Sequence, residues 1–194
     1  RSSWNITYDF KSDREEPERV PRETQQVPRA SERDPANSKS GQHSGDACDH
    51  WNRRTEDLEL IQNLKVTHYR FSLEWSRIEP EMGVWNEDAI AWYSGLVDDL
   101  LQRGIQPMVT LHHFTNPLWW EDLGAFEKEA NIVYWIRFST KMFEVLSDRV
   151  TWWCTINEPA VYASMGYVLG EFPPGERSFR KTRNVSLNLM RAHA

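Results

Sequence analysis

Asn157 and Glu158 stand side by side in Thr155-Ile-Asn-Glu-Pro159, directly after the strand-like run Arg149-Val-Thr-Trp-Trp-Cys154. A carboxylic acid and an amide so paired suit sugar chemistry. The acid can protonate a glycosidic oxygen, and the amide can hold a hydroxyl. Pro159 stops the strand and biases Glu158 towards an extended conformation. Alone, the tripeptide reads as an ordinary turn. Two other segments give it company. Arg70 lies in the run Val66–Trp75, where a guanidinium facing a pocket would keep a carboxylate ionised through charge-assisted hydrogen bonds. A structural ion pair with Glu74 is the equal alternative. His112 and His113 close a second run, Ile105–Phe114. Adjacent strand residues face opposite ways, so at most one of them faces the pocket. That histidine is a hydrogen-bonding group for a ligand hydroxyl rather than half of a zinc pair. No H-E-x-x-H segment or cysteine cluster supports a metal, and none is expected.

These residues fall at the ends of three segments that alternate with helical patterns. Residues 52–65 place Leu58, Ile61 and Leu64 on one helical face. Asn86 can cap a second helix, with Glu87 and Asp88 in its first turn, Ile90, Tyr93, Val97 and Leu100 as its buried stripe, and Gly104 as its stop. A third helix covers roughly 128–147 with Ile132, Ile136, Met142 and Leu146 inward, and a last one begins near 184. Strands then cover 66–75, 105–114 and 150–156. Such alternation specifies an α/β fold with a parallel sheet and right-handed crossovers. The strand starts are spaced by about 40 residues, so eight units would need more than about 320 residues. The expected architecture is a partial (β/α)₈ TIM barrel, roughly its first half, with parallel strands and outer helices. Arg, His and Asn-Glu then gather on the rim where such barrels keep their chemistry.

Residues 1–45 read differently. Trp4, Ile6, Tyr8 and Phe10 alternate with polar residues like a short strand, and Pro17, Pro21, Pro28 and Pro35 follow in a polar stretch that can bury little. We therefore divide the chain into a polar N-terminal segment, 1–45, and a half-barrel domain, 46–194.

Composition narrows the classes. The 194 residues carry a net charge of −6 with no basic block, so no nucleic-acid partner is expected. No apolar run approaches the roughly 18 residues of a membrane span, and the first residues have no apolar signal core, so the expectation is a cytoplasmic protein without membrane contact. Cys48 and Cys154 are too far apart in sequence to read as a disulfide framework. No glycine-rich phosphate loop appears, and no cofactor is expected. The ten tryptophans form a large aromatic core, with Trp75, Trp119, Trp120 and Trp153 held open as platforms for sugar rings.

Tyr69-Arg-Phe-Ser-Leu-Glu-Trp-Ser-Arg-Ile-Glu-Pro80, Val109-Thr-Leu-His-His-Phe114 with Pro117 and Trp119, and Thr155-Ile-Asn-Glu-Pro159 resemble the second-strand, third-strand and acid/base signatures of family 1 glycoside hydrolases, the β-glucosidase and β-galactosidase group. Ser44-Gly-Asp-Ala-Cys-Asp-His-Trp51, Gly166-Tyr167 and Gly170-Glu-Phe-Pro-Pro-Gly175 match as well. The resemblance covers about residues 44–194. It implies that Glu158 is the general acid/base, that Asn157 and His113 bind hydroxyls of the sugar, and that Arg70 positions the nucleophilic carboxylate. Phe114 stands where the family usually has Trp. The family's Gln-x-Glu-Gly segment is not matched in residues 1–43, and its Thr-Glu-Asn-Gly nucleophile segment is absent from this chain. The resemblance thus implies the N-terminal half of a retaining β-glycosidase acting on a β-linked glycoside or oligosaccharide, weakly active or inactive by itself. Its exposed barrel edges are expected to drive self-association. A carbohydrate-binding or interaction module without catalysis, derived from such a barrel, is the alternative. A cellulase or xylanase relative with an Asn-Glu acid is a second, which the combined signatures on the earlier strands argue against.

Overall fold

The computed structural model describes residues 48–194. The strand expected over Trp4–Phe10, the polar segment and its boundary at 45/46 lie outside the described residues. Three strands, β1 (His68–Ser72), β2 (Gln106–His112) and β3 (Trp152–Ile156), form a parallel sheet in the order β1-β2-β3. Its register pairs Arg70 with Met108, and Met108 with Trp152. The connections carry helices α1 (Arg54–Asn63), α2 (Trp75–Ile78), α3 (Glu87–Gln102), α4 (Leu118–Leu123), α5 (Ile132–Leu146), α6 (Pro159–Tyr167) and α7 (Phe179–His193).

Local chemistry accounts for most boundaries. Asn86 caps α3 by accepting the Ala89 N–H at 3.1 Å, and Gly104 ends that helix at φ 72°. The first strand is shorter than the 66–75 expected, because Glu74 turns the chain: its carboxylate accepts the Ser76 N–H and so caps α2. Phe114 ends the second run with φ 75°. Two 3₁₀ turns occupy 125–127 and 129–131, so the third expected helix starts later, at Ile132. Ser178 caps α7 through the Lys181 N–H, so that helix starts before the expected 184. The sequence reading passed over α6, although Pro159 at its first position is a start signal.

The core lies between the helices and one face of the sheet. Phe71, Val109 and Leu111 are buried there with Leu96, Val97 and Leu100 of α3 and Trp135, Phe138 and Met142 of α5. The inward face of α5 is corrected in one place. Ile136 is 53% exposed, and the larger Trp135 takes the inward position beside it. Leu64, past the end of α1, is likewise exposed. Trp75 and Trp120 are fully buried with ring centroids 4.7 Å apart, and Trp75 stacks on Phe138 at 4.8 Å. These two indoles are core, not platforms. Trp119 and Trp153 are half-buried, with their N–H groups donated to the carbonyls of Glu79 and Val150. On the opposite face of the sheet, Arg70 and Trp152 are exposed.

Candidate active site

Arg70 bridges the sheet. Its Nε donates to Thr110 Oγ1 on β2 at 2.7 Å, and its Nη2 donates to Asn157 Oδ1 beyond β3 at 2.6 Å. Nη2 also lies 3.6 Å from Cys154 Sγ. Glu74 is not its partner. That carboxylate accepts the Ser76 hydroxyl at 2.7 Å and the Thr115 hydroxyl at 2.9 Å. Burial pushes the Glu74 carboxyl above its usual range, against the pull of these hydrogen bonds. The Glu74–Thr115 bond ties the loop after β1 to the loop after β2.

The two histidines part company at the end of β2. His112 is buried, with its ring edge-on to Phe126, Trp135 and Tyr162. Its Nε2 shares a 2.8 Å hydrogen bond with Asn116 Oδ1. Burial lowers its pKa to about 4, with the nearby His113 adding in the same direction. His113 is half-buried and bonds Ser72 Oγ through Nδ1 at 2.8 Å. Burial lowers its pKa too. The Arg70 charge lowers it further, and the Glu158 charge opposes both. The bond to Ser72 at the end of β1 holds His113 at this end of the sheet, where its imidazole can hydrogen-bond a hydroxyl.

Asn157 is buried, and its N–H donates to the His112 carbonyl at 2.9 Å, extending the β2–β3 ladder by one bond. With Oδ1 engaged by Arg70, the amide presents its Nδ2 donors. Glu158 is exposed and adopts φ 42°, ψ 61°. The extended conformation expected before a proline is therefore corrected. The chain passes from β3 into α6 within two residues, and a left-handed residue makes so sharp a turn. The Glu158 side chain makes no capping bond to α6, so its carboxyl is not spent on the helix. Phe114 completes this end of the sheet, with ring centroids 5.0 Å from His113 and 5.8 Å from Phe172 in the loop after α6.

All four expected site residues, Arg70, His113, Asn157 and Glu158, thus meet at the C-terminal end of one parallel sheet. Sequence reasoning missed Ser72 and Thr110, which hold His113 and Arg70. A signal for Ser72 existed, since it lies two positions after Arg70 on the same face of β1. Thr110 depended on the strand register, which no local pattern reveals. Among the described residues, no group of three or more His, Cys, Asp or Glu side chains could hold a metal ion. Among them, too, no helix is long and apolar enough to cross a membrane.

A parallel sheet with polar groups gathered at its C-terminal end is the arrangement that (β/α)₈ barrels share with open doubly wound sheets. The chain matches Glycosyl hydrolase family 1 over residues 30–194 and belongs to that family. The match begins inside the segment that composition sets apart as 1–45. Beta-glucosidase A of Thermotoga maritima is 39% identical over 161 residues, covering 82% of this chain and 36% of that protein. The human cytosolic beta-glucosidase is 43% identical over 151 residues, covering 76% and 32%. Among solved structures, the Thermotoga maritima beta-glucosidase in complex with castanospermine superposes with a TM-score of 0.78 at 39% identity, covering 82% of this chain and 36% of that one. A beta-glycosidase from Pyrococcus horikoshii superposes with a TM-score of 0.74 at 46% identity, covering 76% and 34%. The described sheet and helices are accordingly part of a TIM barrel, and the chain spans about a third of the length of the curated relatives it matches.

Proposed function

We propose that this chain supplies the acid/base side of a retaining β-glycosidase site that acts on β-linked glucosides or related oligosaccharides. Glu158 gives its proton to the glycosidic oxygen as a carboxylate from outside this chain attacks the anomeric carbon. Glu158 then takes a proton from the water that releases the sugar. Asn157 and His113 bond hydroxyls of the sugar, and Arg70 holds the attacking carboxylate. The observation that carries the reading is the Arg70–Asn157 hydrogen bond at 2.6 Å, which joins the guanidinium to the residue beside Glu158. The charges of Arg70 and Glu158 both reach His113, which supports a single polar rim. The β-glucosidase names of the relatives support the choice of substrate, and the cytosolic relative supports a cytoplasmic setting.

One carboxylate cannot carry out double displacement, so the 194-residue chain alone is expected to leave aryl β-glucosides unhydrolysed. The acid role is tested in a barrel completed with the remaining strands of a family 1 enzyme. In that protein Glu158→Gln should cost about 10²–10⁴-fold in kcat on an alkyl β-glucoside, whose departing oxygen needs the proton. On a dinitrophenyl β-glucoside, whose leaving group departs without one, the step that frees the aglycone should be nearly unaffected. Equal loss of that step on both substrates, or loss on neither, would refute the assignment.

A further inference from the structure

Asn116 lies in the loop between β2 and α4, 1% exposed, with no part in the chemistry proposed above. Its Oδ1 meets His112 Nε2 at 2.8 Å, and its Nδ2 donates to the Tyr162 hydroxyl at 2.8 Å and to Glu121 Oε1. This geometry makes His112 Nε2 the N–H donor. His112 Nδ1 is then a bare acceptor, buried and without a partner among the described residues. Tyr162 is buried on α6, four residues past Glu158, and its ring centroid lies 5.4 Å from that of His112.

The turn at Glu158 needs such support. A non-glycine residue before a proline avoids the left-handed region, and where one is found there the surroundings must hold it. Pro159 offers no N–H, and the Glu158 carboxyl does not cap α6. The turn itself is closed by the Val161 and Tyr162 N–H groups, which donate to the Glu158 carbonyl at 2.9 and 3.0 Å. His112 grips both sides of this turn. Its carbonyl accepts the Asn157 N–H just before Glu158, and its side chain reaches Tyr162 just after, through Asn116. Asn116 is itself fixed, because the neighbouring Thr115 donates to the half-buried Glu74.

We propose that Asn116 is a positioning residue for Glu158: by joining His112 at the end of β2 to Tyr162 one turn into α6, it holds the Glu158–Pro159 turn left-handed and keeps the carboxyl beside His113. The functional meaning rests on Glu158 being the acid. The test reads backbone conformation rather than turnover, so the two ideas can fail separately. In the full chain labelled with ¹³C,¹⁵N-glutamate, Asn116→Leu should move the Glu158 Cα and Cβ shifts from left-handed towards extended values. Amide exchange at Val161 and Tyr162 should rise about tenfold or more, because, of the three side-chain hydrogen bonds lost, the one to Tyr162 anchors α6. Exchange at Val97 and Leu100 in α3 should not change. Tyr162→Phe deletes only the hydroxyl and should act in the same direction. It decides the question alone if the leucine variant does not fold. The double variant should do no more than the stronger single change, because both break one link. Unmoved Glu158 shifts, an equal rise in exchange throughout α3, or effects that multiply in the double variant would each overturn the proposal.

Discussion

His112 is an imidazole sealed among three aromatic rings, and a proton added to it meets no compensating charge. Its pKa falls from 6.5 to about 4 for that reason. The sign of the linkage follows. The unfolded chain takes up a proton near 6.5 and the folded one only near 4, so stability is complete above pH 6.5 and is lost as pH falls from there through about 4. The full loss is about 3 kcal/mol, taking about 1.4 kcal/mol for each pKa unit. Glu74 runs the other way, since burial raises its carboxyl and favours the protonated folded state at low pH. The two contributions are separated by substitution. His112→Gln keeps an N–H for Asn116 Oδ1 and cannot be protonated. Urea titrations at pH 7 and pH 4.5 are expected to show a gap about 2 kcal/mol smaller in this variant than in the parent chain. An unchanged gap would mean that His112 is not the group that senses acid.

Between elements, the most consequential tie is Glu79 with Arg137. Glu79 ends α2 and is wholly buried. It accepts the Trp75 indole N–H at 2.9 Å and the Gly83 N–H at 2.7 Å, and it is ion-paired with Arg137 of α5. Arg137→Met leaves a buried carboxylate without its counter-charge and should cost about 3 kcal/mol. Adding Glu79→Gln should recover part of that loss, because the glutamine carries no charge to strand. Thermal melts of the single and double variants check this, and strict additivity would contradict it. This tie also marks the limit of what local pattern reveals. Asn86, Gly104 and the α3 stripe were legible because their signals lie within a few residues of one another. The rim residues were legible because three strand ends each offered a polar group after an apolar run. The Glu79–Arg137 pair spans 58 residues and follows no periodicity. Nor does any run distinguish Trp135 from Ile136 as the inward side chain of α5, since both are apolar and adjacent. The Glu158 conformation was misjudged because the proline preference is local, whereas the turn is fixed by His112 and Tyr162 from outside it.

At the scale of the whole molecule, the sheet is the element least at ease. Parallel sheets are stable when both faces are covered, and among the described residues helices cover one. The opposite face shows Arg70 and Trp152, the latter 54% exposed. Among the described residues, β1 and β3 are edge strands, each with an outer row of N–H and C=O groups that no described strand pairs. Trp152 opens β3 and so lies on both the bare face and a bare edge. Edge pairing between copies would satisfy the backbone and bury this indole at once, and a net charge of −6 opposes that only weakly. The 194-residue chain is therefore expected to self-associate at tens of micromolar, with light scattering after gel filtration showing a mass that rises with concentration. Trp152→Lys places a charge at the seam, the device that natural edge strands use, and should shift the population towards monomer without altering the helical circular dichroism. A parent chain that stays monomeric at high concentration and melts sharply would mean that the face and edges are covered within the chain itself. The association argument would then fail, while the rim built by Arg70, His113, Asn157 and Glu158 would stand unchanged.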